Sequence, residues 1–335
     1  MDSTAKEIVF DESGRCNFCR QAEKSWKEVK EIAAGSAIVF NQDLNRNYDC
    51  LIGLSGGVDS SYLLHCAVGL GYKPLCYTVD NGWNDPKADE NIMRLVETLK
   101  VPFYRYTIDT KKFAELQSAF FKSGTANVEI PTDHILFATT YEMADKYGIK
   151  TILSGGNVAT ESIMPPSWGY NARDLVHIKD IYKKFTGKKL TGLPVLSLWK
   201  WNWYKWVKGI NIVYLLDYLD YNREEAIKIL AEKYGYKDYG DKHQESEFTK
   251  WFQNFYLYEK FGFDKRKAHY SSLIVSGQMT REQALERLDE KVWYPKFGIE
   301  NKILKYPKHD YKDYRTDEKL FNFISQLIRE LKCLF

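Results

Sequence analysis

From Leu54 to Ser61 the chain reads LSGGVDSS, crowding small, hydroxyl-bearing and acidic residues into one short stretch. Gly56 and Gly57 let the backbone come close to an anion with no Cβ in the way. A helix-like run behind them directs unsatisfied N–H groups, and a positive dipole end, at the same spot. Ser55, Ser60 and Ser61 add hydroxyl donors, and Asp59 is placed either to cap the helix or to hold Mg2+ beside a phosphate. A kinase- or GTPase-type loop carries a lysine after its glycines to serve the β- and γ-phosphates. None follows here. The stretch therefore fits an enzyme that holds pyrophosphate as a leaving group while chemistry occurs at the α-phosphorus.

Such a turn needs a buried strand before it and a helix after it, and the flanking pattern supplies both. DCLIGL reads as a buried strand, Ser60 to Leu70 as a helix closed by Gly71, and PLCYTV as a second strand. Lys87 to Leu99 is a helix, FYRYTI a third strand, and Thr110 to Phe121 another helix. After a turn at PTDH, a longer helix runs from Ile135 to Tyr147, and KTILS is a fourth strand leading into SGGN, Ser154 to Asn157. This alternation predicts an α/β fold with a parallel, doubly wound sheet and right-handed crossovers. Ahead of it lie a C-x-x-C knuckle at Cys16 and Cys19 and a helix from about Gln21 to Ala34. Beyond residue 157 the alternation dissolves into a mainly helical half, with an Asn222 cap signal and a capping box from Thr280 to Gln283. The expected division is a knuckle and helix over 1–47, a nucleotide-binding domain over 48–195, and a helical substrate- or partner-binding region over 196–335.

Lys+Arg number 48 against Asp+Glu 45, so the chain lacks the basic excess of a dedicated nucleic-acid binder. Hydrophobic content of 44% and charged content of 28% describe a soluble globular protein. No apolar run approaches the roughly 20 residues that span a bilayer, and the first residues lack a signal-peptide core. A cytoplasmic location is expected. Cys50, Cys66 and Cys76 lie in apolar runs, where a reduced cysteine packs as a small hydrophobe. Trp199, Trp201, Trp203 and Trp206 suit either inter-domain packing or a docking surface for a partner.

SGGVDSS resembles the signature of the PP-loop ATP pyrophosphatase superfamily, which has an adenine nucleotide alpha hydrolase-like fold and includes asparagine, GMP and NAD synthetases and tRNA-thiolating enzymes. The resemblance implies ATP and Mg2+, adenylation of a carbonyl-type oxygen, release of pyrophosphate, and expulsion of AMP by a nucleophile. It implies ATP contacts from Leu54, Ser55, Gly56, Gly57, Asp59, Ser60 and Ser61, and from Gly155 and Gly156. Asp80 and Asn81 of VDNG take the place of the adenosine pocket. Ligands of open α/β sheets gather at strand carboxyl ends where the strand order reverses, and all three stretches stand at such ends.

FDESGRCNFCRQAE, together with Glu245 to Leu285 and its stretch DKRKAHYSSLIVSGQMTREQAL, is similar to one branch of that superfamily, the N-acetyl sugar amidotransferases of bacterial surface-polysaccharide and flagellin-sugar biosynthesis. The likeness runs from about Phe10 to Leu288. It implies that an acetamido group on a UDP-linked N-acetyl sugar, a UDP-2,3-diacetamido uronic acid, becomes an acetamidino group. It also implies ammonia from partner subunits resembling a glutaminase and a cyclase barrel. Relatives carry a second C-x-x-C that completes a zinc site; here Cys16 and Cys19 supply half of a tetrahedral set, so either His or Cys from elsewhere completes it or the site is degenerate, a knuckle of two buried thiols.

An amide oxygen is a poor leaving group, so AMP transferred to it would make an imidate that ammonia can attack. Asn157, Thr160 and Glu161 follow the fourth strand closely enough to face the α-phosphate or the acetamide, with Glu161 as proton acceptor or as a loop ion pair. Lys265, Arg266, Lys267 and His269 form a basic cluster suited to a uridine diphosphate or a sugar carboxylate, or else a solvated helix face. Two rivals share the loop: a tRNA-thiolating enzyme, which needs a positive surface and a catalytic cysteine, and a non-catalytic adenine-nucleotide-binding module, which would have the sheet alone.

Overall fold

The computed structural model describes residues 1–35, 47–240, 242 and 245–323. Five parallel strands form one sheet: β1 Cys50–Gly53, β2 Pro74–Asp80, β3 Phe103–Thr107, β4 Thr151–Leu153 and β5 Asn211–Val213. Their order is β3-β2-β1-β4-β5. Alternate residues enter two separate cores. Leu51, Leu75 and Ile152 face one, and Cys50, Ile52, Cys76 and Leu153 the other. Burial on both faces is why these strands read as unbroken apolar runs.

Helices cover each face. Here α2 Val58–Gly69, α3 Pro86–Leu99 and α9 Arg223–Tyr234 close one core, while α4 Thr110–Ser123, α5 Ile130–Lys146 and α7 Leu175–Thr186 close the other. Their starts are written locally. The Asp85 carboxylate accepts from the Lys87 N–H to cap α3, Asp109 does so from Lys112 for α4, and Asn222 from Glu224 and Glu225 for α9. The Thr280–Gln283 capping box opens α12 Arg281–Asp289. The PTDH segment is not the turn expected of it. It is the first turn of α5, with Pro131 where a missing N–H costs nothing. The fifth strand was also not expected, because it is only three residues long and lies where the alternation of strands and helices has dissolved.

The remaining helices are α1 Asn17–Gly35, α6 Val158–Glu161, α8 Leu198–Trp206, α10 Glu247–Trp251, α11 Lys265–Val275 and α13 Glu300–Leu304. A π-helical segment, Phe252–Phe261, continues directly from α10. The α10 end is tied to the loop after β2, since the Asp85 N–H donates to the Glu245 carbonyl at 3.0 Å and the Glu247 N–H to that of Trp83 at 3.0 Å. In turn α11 packs on α6 and α1, and Ser272 Oγ accepts from the Ile163 N–H at 3.1 Å. The helical half thereby covers the carboxyl edge of the sheet. Among the described residues no helix is long and apolar enough to cross a membrane.

Candidate active site

β1 and β4 are neighbours, but the chain continues from β1 outward to β2 and β3, and from β4 outward to β5. Strand order reverses between them, opening a crevice at their carboxyl ends. Both glycine turns stand there. The first is braced internally: the Gly57 N–H donates to Ser55 Oγ at 3.2 Å, and the Ser60 hydroxyl to the Gly57 carbonyl at 3.2 Å. Gly57 precedes α2 with no side-chain cap bond, so the first-turn N–H groups stay available to an anion.

The two glycines of the turn have different duties. Gly57 lines the crevice. Gly56 has φ +81, and a Cβ there would lie 2.4 Å from the Ala88 carbonyl oxygen, so it serves packing against α3. Gly155 brings the second turn against the first, since its Cβ would meet the Ser60 nitrogen at 3.1 Å.

The crevice has a volume of about 190 Å³ and is lined by Ser55, Gly57, Val58, Asp59, Ser60, Gly155, Gly156 and Glu161, joined by Arg223, Tyr239, Lys242 and Glu245. Leu54 is buried and anchors the turn, its N–H donating to the Tyr77 carbonyl at 2.7 Å. Ser61 is buried and does not line the crevice. Asp80 and Asn81 stand at the end of β2, accepting from the N–H groups of Gly82 and Trp83 at 3.1 Å each, and are not part of the crevice wall.

Lys242 is the centre of charge. Its Nζ lies 2.7 Å from Asp59, 2.8 Å from Glu161 and 2.5 Å from the Thr160 hydroxyl. Burial opposes its charge, yet the two carboxylates hold its pKa above the ordinary lysine value. The Tyr221 hydroxyl donates to Asp59, and burial together with that carboxylate pushes the phenol well above its usual pKa. Asn157 acts at one remove: its Oδ1 accepts from the Thr160 N–H and hydroxyl at 2.9 Å each, fixing the turn that presents Thr160 and Glu161. Asp217 holds the start of α6 by accepting from the Val158 N–H at 2.7 Å, and burial raises its pKa, with Glu161 adding to the effect.

A second cavity, of about 40 Å³, adjoins the first, and Arg223 and Lys242 line both. Lys265, Arg266 and His269 reach it from α11, with Thr160, Gln253 and Asn254. The basic cluster is thus divided. Lys267 pairs with Asp2 and is not in the wall. Arg266 also grips Asp264 at 2.8 Å and donates to the Arg287, Leu288 and Glu290 carbonyls at 3.2 Å, so its guanidinium closes α12 as well as facing the cavity.

Two carboxylates that converge on one cation fit Mg2+, a hard ion that takes one or two carboxylates and completes its shell with phosphate oxygens and water. Zinc is not supported. The Cys16 and Cys19 sulfurs lie 3.3 Å apart, but among the described residues no group of three or more His, Cys, Asp or Glu could hold a metal ion. Burial, then the neighbouring Cys16, push the Cys19 thiol up to about 11, so it is protonated at neutral pH. Among the described residues no cysteine lines either cavity; Cys333 lies outside those residues.

Sequence reasoning missed Arg223, Tyr239, Lys242 and Glu245. Arg223 is masked by its place just after a helix cap, and Lys242 by the charged turn around it; nothing local marks either as converging on Asp59.

Comparison with solved structures finds slight likenesses. An NH3-dependent NAD synthetase from Campylobacter jejuni is 16% identical with a TM-score of 0.28, the match covering 43% of this chain and 58% of that one. A predicted subunit of a tRNA methyltransferase from Methanocaldococcus jannaschii is 15% identical at TM-score 0.35, over 66% of this chain and 91% of that one. An NMN synthetase from Francisella tularensis is 16% identical at 0.34, over 81% and 91%. No curated protein matches by sequence. Residues 245–303 match the family model described as "LPS biosynthesis protein WbpG-like, C-terminal domain". The wall of the second cavity from Gln253 to Arg287 therefore lies within a segment similar to the C-terminal domain of WbpG-like lipopolysaccharide-biosynthesis proteins.

Proposed function

We propose that this chain is a PP-loop ATP-dependent amidotransferase that adenylates the acetamido oxygen of a UDP-linked N-acetyl sugar and replaces it with ammonia, for surface-polysaccharide biosynthesis. The observation that carries the reading is the pairing of two cavities: a glycine-turn crevice at the strand-order reversal, and a basic cavity from the WbpG-like segment that shares Arg223 and Lys242 with it. One suits a polyphosphate, the other an anionic sugar nucleotide.

On this reading residues 48–195 hold ATP, with the N–H groups at Gly57 and the start of α2 on its phosphates and Asp80 and Asn81 toward its adenosine. Asp59 and Glu161 would hold Mg2+, which supplies charge neutralisation on the pyrophosphate as it leaves. The region 196–335 brings the sugar nucleotide, with Arg266 and His269 on its diphosphate and Thr160 near the acetamide. Lys267, paired with Asp2, would support α11 from outside the cavity. Glu161, no longer holding the ion once pyrophosphate has left, takes the proton released when ammonia adds to the imidate carbon, and AMP departs with the former amide oxygen. The cover of helices excludes water that would otherwise consume the adenylate. Partner subunits deliver ammonia, and the ATP supply puts the reaction in the cytoplasm.

The test is incubation with ATP, an ammonium salt and candidate UDP-diacetamido sugars. AMP and pyrophosphate should appear in equal amounts, with a sugar product lighter by the exchange of O for NH. Asp59→Asn should cut pyrophosphate release by about 100-fold or more with the circular dichroism unchanged. ADP and orthophosphate as products would overturn the reading.

A further inference from the structure

Asp59 and Glu161 aim at one point, and the group at that point is the Lys242 ammonium, 2.7 Å from one and 2.8 Å from the other. Bringing two carboxylates together is costly unless a cation lies between them. A divalent ion bound through two carboxylates would take the same position. Lys242 is half-buried, its side chain 11% exposed, and it lines both cavities, so its ammonium can leave the carboxylates and still stay inside the site.

We propose that Lys242 is a built-in counter-ion for Asp59 and Glu161, displaced by the divalent metal that arrives with the nucleotide, after which its ammonium pairs with the phosphates. The crevice thereby rejects free metal and accepts metal and polyphosphate together, and the lysine absent from the glycine turn is supplied from far along the chain. The inference rests on the reading above only for the identity of the nucleotide. Reciprocity of binding requires the metal and the nucleotide to strengthen each other's affinity.

Mn2+ serves as the probe, its free concentration followed by electron paramagnetic resonance in the absence of nucleotide. Wild type should bind it weakly, and Lys242→Met at least about tenfold more tightly. Lys242→Arg, which keeps the charge, should stay as weak as wild type. Asp59→Asn added to Lys242→Met should erase the gain, which assigns the ion to this crevice. Equal affinity of wild type and Lys242→Met, or a gain in Lys242→Arg as large as in Lys242→Met, overturns the proposal. If Lys242→Met does not fold, wild type alone decides: protein and a non-hydrolysable ATP analogue together should hold Mn2+ about tenfold or more tightly than the analogue alone or the protein alone, and tight binding by the protein alone overturns the assignment. The readout needs no turnover. A Mn2+ gain in Lys242→Met alongside ADP formation by wild type would remove the adenylation reading and leave the counter-ion standing; no gain with pyrophosphate release intact would do the reverse.

Discussion

Glu129 shows how a single buried carboxylate connects local sequence to stability. It sits just before α5, its N–H donating to Asn127 at 3.0 Å and its carboxylate accepting from the Thr249 hydroxyl of α10. Burial, then the charge of Asp133, push its pKa up to about 7. A folded-state pKa above the unfolded value means the native protein binds the extra proton. The stabilisation is therefore complete below the ordinary carboxylate range and is lost as pH rises through about 7. Glu129→Gln keeps an acceptor for Thr249 without the titration. Thermal unfolding at pH 8 should rise by about 2 °C or more over wild type, with the gap closing below about pH 5; a gap independent of pH would contradict this account. Nothing in the NVEIPTDH stretch marked Glu129 as buried, because its enclosing groups arrive from α10. Asp59 and Gly57, by contrast, were legible because a strand, a glycine turn and a helix start are local features.

At the level of elements, the glycine turn and α3 are one packed unit. Gly56 has φ +81 and no room for a Cβ beside the Ala88 backbone, whereas Gly69 at the end of α2 has open space. Gly56→Ala should lower stability in denaturant titrations by about 2 kcal/mol or more, and Gly69→Ala should stay within about 0.5 kcal/mol of wild type. Equal effects would mean that the turn is not held by α3. Two helix starts followed from caps written in the sequence, at Asn222 and at the Thr280 box. The start of α5 did not, since PTDH carries turn residues that also suit a helix's first turn. The π-helical run was equally hidden, because nothing local announces its extra residue per turn.

Across the whole molecule, the tryptophans of α8 divide by helical period. Trp201 packs inward, donating to the Tyr141 hydroxyl at 3.0 Å, while Trp199, Trp203 and Trp206 are 70%, 42% and 52% exposed. Under the proposed function this outer face suits the ammonia-supplying partner, since aromatic anchors dominate protein interfaces. Replacing all three with alanine should lower glutamine-dependent turnover by about tenfold or more and leave ammonium-dependent turnover unchanged; parallel loss of both would return them to a packing role. By itself the sequence determined the parallel α/β class, four of the five strands and the glycine turns, because apolar runs, caps and turns act over a few residues. Only the tertiary structure decided where the strand order reverses, that Gly56 serves packing, and that Lys242 and Arg223 join Asp59. Those are pairings between distant segments, and a charge or a shape complement far along the chain leaves no periodic trace near its partner.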